Sequence, residues 1–330
     1  MAGDDRVSRD EWLIYRGSGE PHDGMRRLPG PPPWRRPREP LADMSQARTY
    51  QIDPGEVDVV NAALRLRRPL LATGMPGTGK TSLAASIAHE LKLGPVLTWS
   101  ITSRSTLADG LYSYDAIGRL HDAGLPPGPD QGEQDIGRYI RLGPLGTALL
   151  PRELPRVLLI DGLDKSDIDL PNDLLPLLED GEFGVPELER LPDERADVEV
   201  YTADPGSRAV VHRGRVACQA FPVVVITSNG EREFAPAFLR RCVQLDLKQP
   251  SQEKLEAIVA AHLGAGALAQ DSELMDRYRK LADQGSVAPD LLLNALFLLT
   301  QGGDLPEDLR EKLSDALLHP LSATGSYAGR

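Results

Sequence analysis

The stretch Gly74-Met-Pro-Gly-Thr-Gly-Lys-Thr-Ser82 fills the pattern G-x-x-x-x-G-K-[ST], and its flanks supply the two elements that pattern needs. Before it, Pro69-Leu-Leu-Ala-Thr73 is a short apolar strand candidate; after it, the spacing predicts a helix over 80–92. A strand, a glycine-rich turn and the start of a helix together present backbone amides to an anion. Gly74, Gly77 and Gly79 leave room for phosphate oxygens where side chains would obstruct them, with Met75, Pro76 and Thr78 between them. Lys80 can reach the β- and γ-phosphates of a nucleotide, the Thr81 hydroxyl can ligate Mg2+, and Ser82 completes the candidate site.

A matching acidic element follows at Val157-Leu-Leu-Ile-Asp161-Gly-Leu-Asp164. Four apolar residues predict a buried strand over 157–160, whose carboxyl end delivers Asp161 to the magnesium side of the phosphate site. Asp164 has two readings: a water-positioning carboxylate, or a helix-capping or salt-bridging one.

The remaining chain fits this frame. Further strands are expected at 95–99, 222–227 and 243–247, and a helix at 171–180. Strands separated by crossovers imply a mostly parallel, five-stranded sheet covered by helices. The interval 100–156, with Pro- and Gly-rich turns around Leu125–Asp135, is expected to hold an insertion or exposed loop. A second interruption spans 181–220. There Val198 and Val200 face Val210 and Val211 across Asp204-Pro-Gly-Ser207, a hairpin pattern. Beyond Pro250 the patterns turn helical, at 251–263, 271–283, 287–301 and 305–318, so a helical subdomain begins near 248.

The chain has 330 residues, a net charge of −12 and a pI near 5.1, which argues against a dominant counterion-release mode on nucleic acid. Mean hydropathy is −0.30 and no run approaches the ~20 apolar residues of a membrane span, so a cytoplasmic protein is expected. Two cysteines, Cys218 and Cys242, make neither a disulfide framework nor, with His212, a metal site. The first 47 residues combine prolines at 29–40, arginines at 26, 27, 35, 36 and 38, and the aromatics Trp12, Tyr15 and Trp34. They read either as a tail or as an arm that docks through its aromatic rings.

With the phosphate loop at 74–81, the acidic strand at 157–161, the interruption at 181–220, Thr227-Ser-Asn229 and the helices after 248, the chain resembles the AAA+ ATPases. Within them it is similar to the MoxR-like branch, chiefly through Gly181-Glu-Phe-Gly-Val-Pro-Glu-Leu188. The resemblance covers about residues 50–320. It takes in an α/β nucleotide-binding domain with a hairpin insertion over 48–247 and a helical lid with a tail over 248–330, and leaves residues 1–47 outside as a docking arm or tail. It also implies ATP and Mg2+ as cofactors, and assembly of a homo-oligomer, as a hexamer.

Further roles come with the resemblance. Asn229 looks like a first sensor that orients water near the γ-phosphate. Arg240 or Arg241, in Phe234-Ala-Pro-Ala-Phe-Leu-Arg-Arg241, resembles the arginine finger that serves a neighbouring subunit; Arg240 is preferred because adjacent helical residues point about 100° apart. Two positions depart from the family. Gly162 stands where AAA+ strands carry a glutamate that polarises water, and 286–299 holds no arginine as second sensor. The resemblance therefore implies an ATPase, slow or silent at Gly162, that couples nucleotide binding or hydrolysis to the remodelling of a protein partner. The alternative is a hydrolysis-poor ATP-binding scaffold in a stress, defence or signalling assembly.

Overall fold

Along a strand, successive side chains point to opposite faces, so a strand buried on both faces must be apolar at every position. The chain meets this condition at Leu70-Leu-Ala72, Val157-Leu-Leu-Ile160 and Val224-Val-Ile226. The computed structural model describes residues 12–35, 49–123, 136–264, 272–282, 288–301 and 306–318. Arg36 and Arg38, the turns expected at Leu125–Asp135 and the tail beyond 318 lie outside the described residues.

The strands in chain order are β1 (Leu70–Thr73), β2 (Leu97–Ser100), β3 (Tyr112–Tyr114), β4 (Ile140–Leu142), β5 (Val157–Asp161), β6 (Glu182–Gly184), β7 (Asp197–Tyr201), β8 (Arg208–His212), β9 (Arg215–Ala217), β10 (Val223–Ser228) and β11 (Val243–Asp246). Five of them form one parallel sheet in the order β11-β1-β10-β5-β2, with Leu71 opposite Ile226, Val225 opposite Leu159, and Trp99 opposite Ile160. Alternation divides its side chains between two cores. Leu70, Ala72, Val157, Leu159 and Val225 pack with Val60 and Ala63 of the helix Pro54–Leu66 and with Leu83 and Ile87 of the helix Lys80–Glu90. Leu71, Leu158, Ile160, Val224 and Ile226 pack with Trp99, with Leu174 of the helix Leu170–Asp180 and with Phe238. Because all five strands run the same way, the loop after β1, Asp161 of β5 and the residues following β10 leave the sheet at one edge, where such sheets bind ligands.

The two interruptions of this sheet are one structure. Six strands form a second sheet in the order β3-β4-β7-β8-β9-β6, in which β4 pairs parallel to β7 at Arg141 and Tyr201. The expected hairpin is present, with Val198 opposite Val211 and Val200 opposite Ala209, and the amide of Ser207 donates to the Asp204 carbonyl at 3.2 Å. The interval 100–156 is not a plain loop: it carries β3, β4 and the helices Leu107–Leu111, Ala116–Ala123 and Pro144–Ala148. Arg141 and Arg208 flank the Tyr201 ring at 4.9 and 4.5 Å, and the Arg141 cation–π contact joins the two interruptions.

One buried ion pair ties the hairpin turn to the start of β5. Arg156, 7 % exposed, forks onto Asp204 at 2.7 and 2.9 Å and also donates to the Pro95 carbonyl at 2.7 Å. The Arg156 hydrogen bond holds the Asp204 carboxyl below the usual carboxylate range. Asp204→Ala leaves a buried guanidinium unpaired and is expected to cost about 3–5 kcal/mol at neutral pH. Since the folded carboxyl titrates below the unfolded one, its contribution is complete above the unfolded value of about 3.9 and is lost as pH falls through the folded value. Denaturant melts should therefore show a wide gap between wild type and variant at pH 7 that closes towards pH 3.

By their internal packing the residues separate into two units, Glu39–Gly74 with Gly79–Leu247, and Met1–Arg38 with Met75–Thr78 and Lys248–Arg330. In the second unit the helices Gln252–Leu263, Ser272–Ala282, Pro289–Gln301 and Glu307–Leu317 form a lid-like bundle around Leu255, Val259, Leu274, Leu292 and Leu296. The Ser251 hydroxyl caps the first of these helices by accepting from the Lys254 amide at 3.2 Å. The N-terminal arm joins this unit. Trp12 packs on its core, and the Trp34 indole donates to Asn294 Oδ1 at 2.9 Å with its ring edge-on to His262 and Phe297.

Candidate functional site

The phosphate loop is shaped by its own short-range bonds. The Thr78 hydroxyl donates to the Met75 carbonyl at 2.9 Å, and the Leu83 amide donates to the Gly79 carbonyl at 3.0 Å, opening the helix Lys80–Glu90. Gly79 adopts φ 89° at the N-cap, and a Cβ there would stand 2.9 Å from the Tyr50 ring, so both conformation and space require glycine. Tyr50 is half-buried, and its desolvation, reinforced by Glu56 and Asp53, pushes its hydroxyl well above the ordinary tyrosine value. Lys80 is 7 % exposed and donates from Nζ to the Gly74 carbonyl at 2.7 Å. Burial lowers the Lys80 pKa, against the opposing pull of Asp164 and Asp161.

On the acidic side, Asp161 Oδ1 accepts from the Thr227 hydroxyl at 2.6 Å and from the Thr81 hydroxyl at 3.4 Å. Thr227 in turn accepts from the Gly162 amide at 2.8 Å. In the sequence Thr227 is marked only as a member of Thr227-Ser-Asn229. A hydroxyl at the carboxyl end of an otherwise apolar strand, next in the sheet to the strand bearing Asp161, was the available signal. Hydroxyl and carboxylate oxygens brought together in this way suit Mg2+, a hard cation that takes few protein ligands and keeps waters or phosphate oxygens for the rest. Among the described residues no cluster of three or more His, Cys, Asp or Glu offers an alternative metal site.

Asp164 is 3 % exposed. Its Oδ2 accepts from the amides of Asn229 and Glu231 at 2.8 and 3.1 Å, fixing the loop after β10. Its Oδ1 is buried and has no hydrogen-bond partner among the described residues. A buried carboxylate oxygen left open is costly in a fold that otherwise satisfies its polar groups, and such exceptions mark functional positions. Gly162 adopts φ 76°, ψ 46°, and contributes no side chain; the Lys165 methylenes lie 3.3–3.4 Å from where its Cβ would be.

Lys80, Thr81, Asp161, Asp164 and Asn229 are thus linked by hydrogen bonds or electrostatics around the loop Gly74–Ser82, whereas Arg240 and Arg241 make no hydrogen bond or ion pair with these residues. Arg241 pairs with Glu179 and donates to the Ala237 carbonyl at 3.2 Å. Arg240 is exposed, and among the described residues its Nε donates only to its own turn, at the Pro236 carbonyl, 3.2 Å. Both cysteines are free; burial pushes the Cys242 thiol up to about 12, which removes it from thiolate chemistry.

Comparison with known proteins agrees with this geometry. The family described as AAA domain (dynein-related subfamily) matches residues 69–242, more than half of the chain. Among solved structures, the Thermotoga maritima RuvB Holliday junction branch migration motor is similar at 15 % identity, covering 79 % of this chain and 67 % of that one with a TM-score of 0.37. A point variant of the same Thermotoga maritima RuvB gives 14 % identity, the same coverages and a TM-score of 0.39. Likenesses so distant carry no functional argument. A comparison with curated proteins gives no match. No helix among the described residues is long and apolar enough to cross a membrane. With its loop Gly74–Ser82 before a helix, its acidic strand at Asp161 and the match over 69–242, the chain belongs to the AAA family of P-loop ATPase domains, in the dynein-related subfamily.

Proposed function

We propose that this protein is a MoxR-like AAA+ switch that binds Mg-ATP at the interfaces of a homo-oligomeric ring, a hexamer, and uses the nucleotide to remodel or regulate a protein partner in the cytoplasm. The observation that carries this reading is the hydrogen-bonded set Thr81–Asp161–Thr227–Gly162 beside a buried Lys80, which joins the phosphate loop to two neighbouring strands. The arm 1–47, the α/β domain 48–247 and the helical lid 248–330 are its working parts.

In this scheme the loop from Gly74 through Met75, Pro76, Gly77, Thr78 and Gly79 wraps the phosphates, and Lys80 exchanges its bond to the Gly74 carbonyl for a phosphate oxygen. Thr81 and Asp161 are the residues that would hold Mg2+, which neutralises phosphate charge when bound. Thr227 keeps the Asp161 carboxylate turned towards Thr81. Asp164 holds the backbone of Asn229, which supports a sensor role for Asn229 by fixing its loop. The same phosphate groups contact residues on separate elements, and that is the physical source of coupling between nucleotide and conformation.

A second reading is favoured by Gly162 itself. The absence of a carboxylate at 162, with Asp164 engaged in anchoring the loop of Asn229 and Glu231, supports a scaffold that binds ATP and turns it over negligibly.

The trans finger separates an assembling ATPase from a scaffold. Arg240, which lacks the acidic partner that engages Arg241, is the better candidate to reach a neighbour's phosphate. Arg240→Ala is expected to keep ATP binding within a few fold while losing turnover by about 10³-fold, the low end for such fingers. Single-site turnover measured together with particle mass in ATP and in ADP tests this. A chain that stays monomeric in both nucleotides, or an Arg240→Ala variant with wild-type turnover, would overturn the ring reading.

A further inference from the structure

The loop tip Met75–Thr78 packs with the helical unit, and what it meets there is an acid. Gly77 has φ 79°, and a Cβ at that position would stand 2.6 Å from Asp290 Oδ1 and 3.1 Å from the Ala288 methyl group. Asp290 lies in the first turn of the helix Pro289–Gln301. A carboxylate in a first turn favours helix formation through the dipole, so a helix-start role alone accounts for an acid at this position. It does not account for the direction of the carboxylate, which is held against the glycine of a loop built to receive phosphate. Among the described residues no hydrogen bond or ion pair joins Asp290 to another side chain.

We propose that Asp290 is a negative determinant of nucleotide affinity: its carboxylate, carried by the helical unit against Gly77, repels the phosphates that the loop admits, so that nucleotide binding and this helix contact oppose each other. The inference rests on the nucleotide-binding reading above. Physically, the loop amides stabilise whichever anion occupies them, and a second anion beside the same loop raises the free energy of the bound state. A ligand that binds better once the contact opens shifts the population towards the open form, which gives the helical unit a way to respond to nucleotide although it has no second-sensor arginine. Tyr278, buried within the same helical unit, has its hydroxyl pushed up to about 12 by burial and by Asp290.

The test compares the full chain with Asp290→Asn, which keeps the shape and removes the charge, and Asp290→Ala, which removes both. Isothermal titration with ATP and with ADP, at low and at high ionic strength, is run beside thermal melts of each protein. Both variants should bind both nucleotides about three- to tenfold more tightly than wild type at low salt, the scale of a partly screened charge pair, and the advantage should shrink at high salt. Tightening in Asp290→Ala alone would mean a steric obstruction and overturns the electrostatic proposal. Equal affinities, or weaker binding in folded variants, overturn it as well. Absence of nucleotide binding in wild type and both variants overturns this inference and the nucleotide reading together, whereas measurable binding with no effect at 290 overturns the inference alone.

Discussion

Lys80→Ala is expected to lose about 100-fold in ATP affinity, which corresponds to about 3 kcal/mol and lies at the upper end for a hydrogen bond to a charged group. The side chain is set up for it. Lys80 is buried, its ammonium donates to the Gly74 carbonyl, and burial lowers its pKa. A lysine whose folded pKa lies below its unfolded one destabilises the fold wherever it is charged in the unfolded chain, and the penalty eases as pH rises through the folded value and above it. Burial of the ammonium thus opposes folding at neutral pH, and Lys80→Ala should remain folded there. Titration calorimetry with ATP, beside circular dichroism melts, checks both halves. A folded Lys80→Ala protein with unchanged ATP affinity would remove the phosphate-loop assignment.

The parts of this site that could be read from sequence are those set by local chemistry. Gly74–Ser82 and Val157–Asp161 carry their meaning in consecutive residues, and the five apolar runs of the parallel sheet fall within two residues of their expected bounds, as with β10 at 223–228 against 222–227. The helices after 248 were legible for the same reason, since a 3.6-residue repeat is a local pattern. What escaped depends on residues far apart in the chain. The pairing of β4 with β7 rests on Arg141 meeting Tyr201, and neither segment marks the other as its neighbour. Thr227 matters because β10 lies beside β5, Tyr50 because it covers Gly79, and Asp290 because it reaches Gly77; each looks ordinary in its own stretch of sequence. Asp164 falls between these cases. The sequence offered water positioning or a cap or salt bridge, and the structure adds a third role, in which it pins the amides of Asn229 and Glu231 while one oxygen stays open.

Gly162→Glu should raise magnesium-dependent ATP turnover by at least about tenfold, because it returns a carboxylate to the water-polarising position and general-base catalysis contributes about 10²–10⁴ where geometry is good. The structure sets the cost and identifies a competitor. Gly162 has φ 76°, and placing an L-residue in this left-handed conformation costs about 1–2 kcal/mol, so the variant should melt a few degrees below wild type while remaining folded. The competitor is Lys165, exposed, with its Nζ 3.6 Å from the position the new Cβ would take. An ammonium so near can hold the introduced carboxylate as an ion pair and turn it away from water, which would keep the gain near the tenfold floor. Adding Lys165→Ala to Gly162→Glu removes that partner and should raise turnover further, whereas Lys165→Ala alone, with only glycine at 162, should leave turnover near wild type. Steady-state phosphate release under saturating Mg-ATP, with ATP affinity measured on each protein, separates the cases. If the folded, ATP-binding double variant turns over no faster than wild type, the missing carboxylate at 162 is not what limits hydrolysis, and the open Oδ1 of Asp164 becomes the remaining candidate for placing the water.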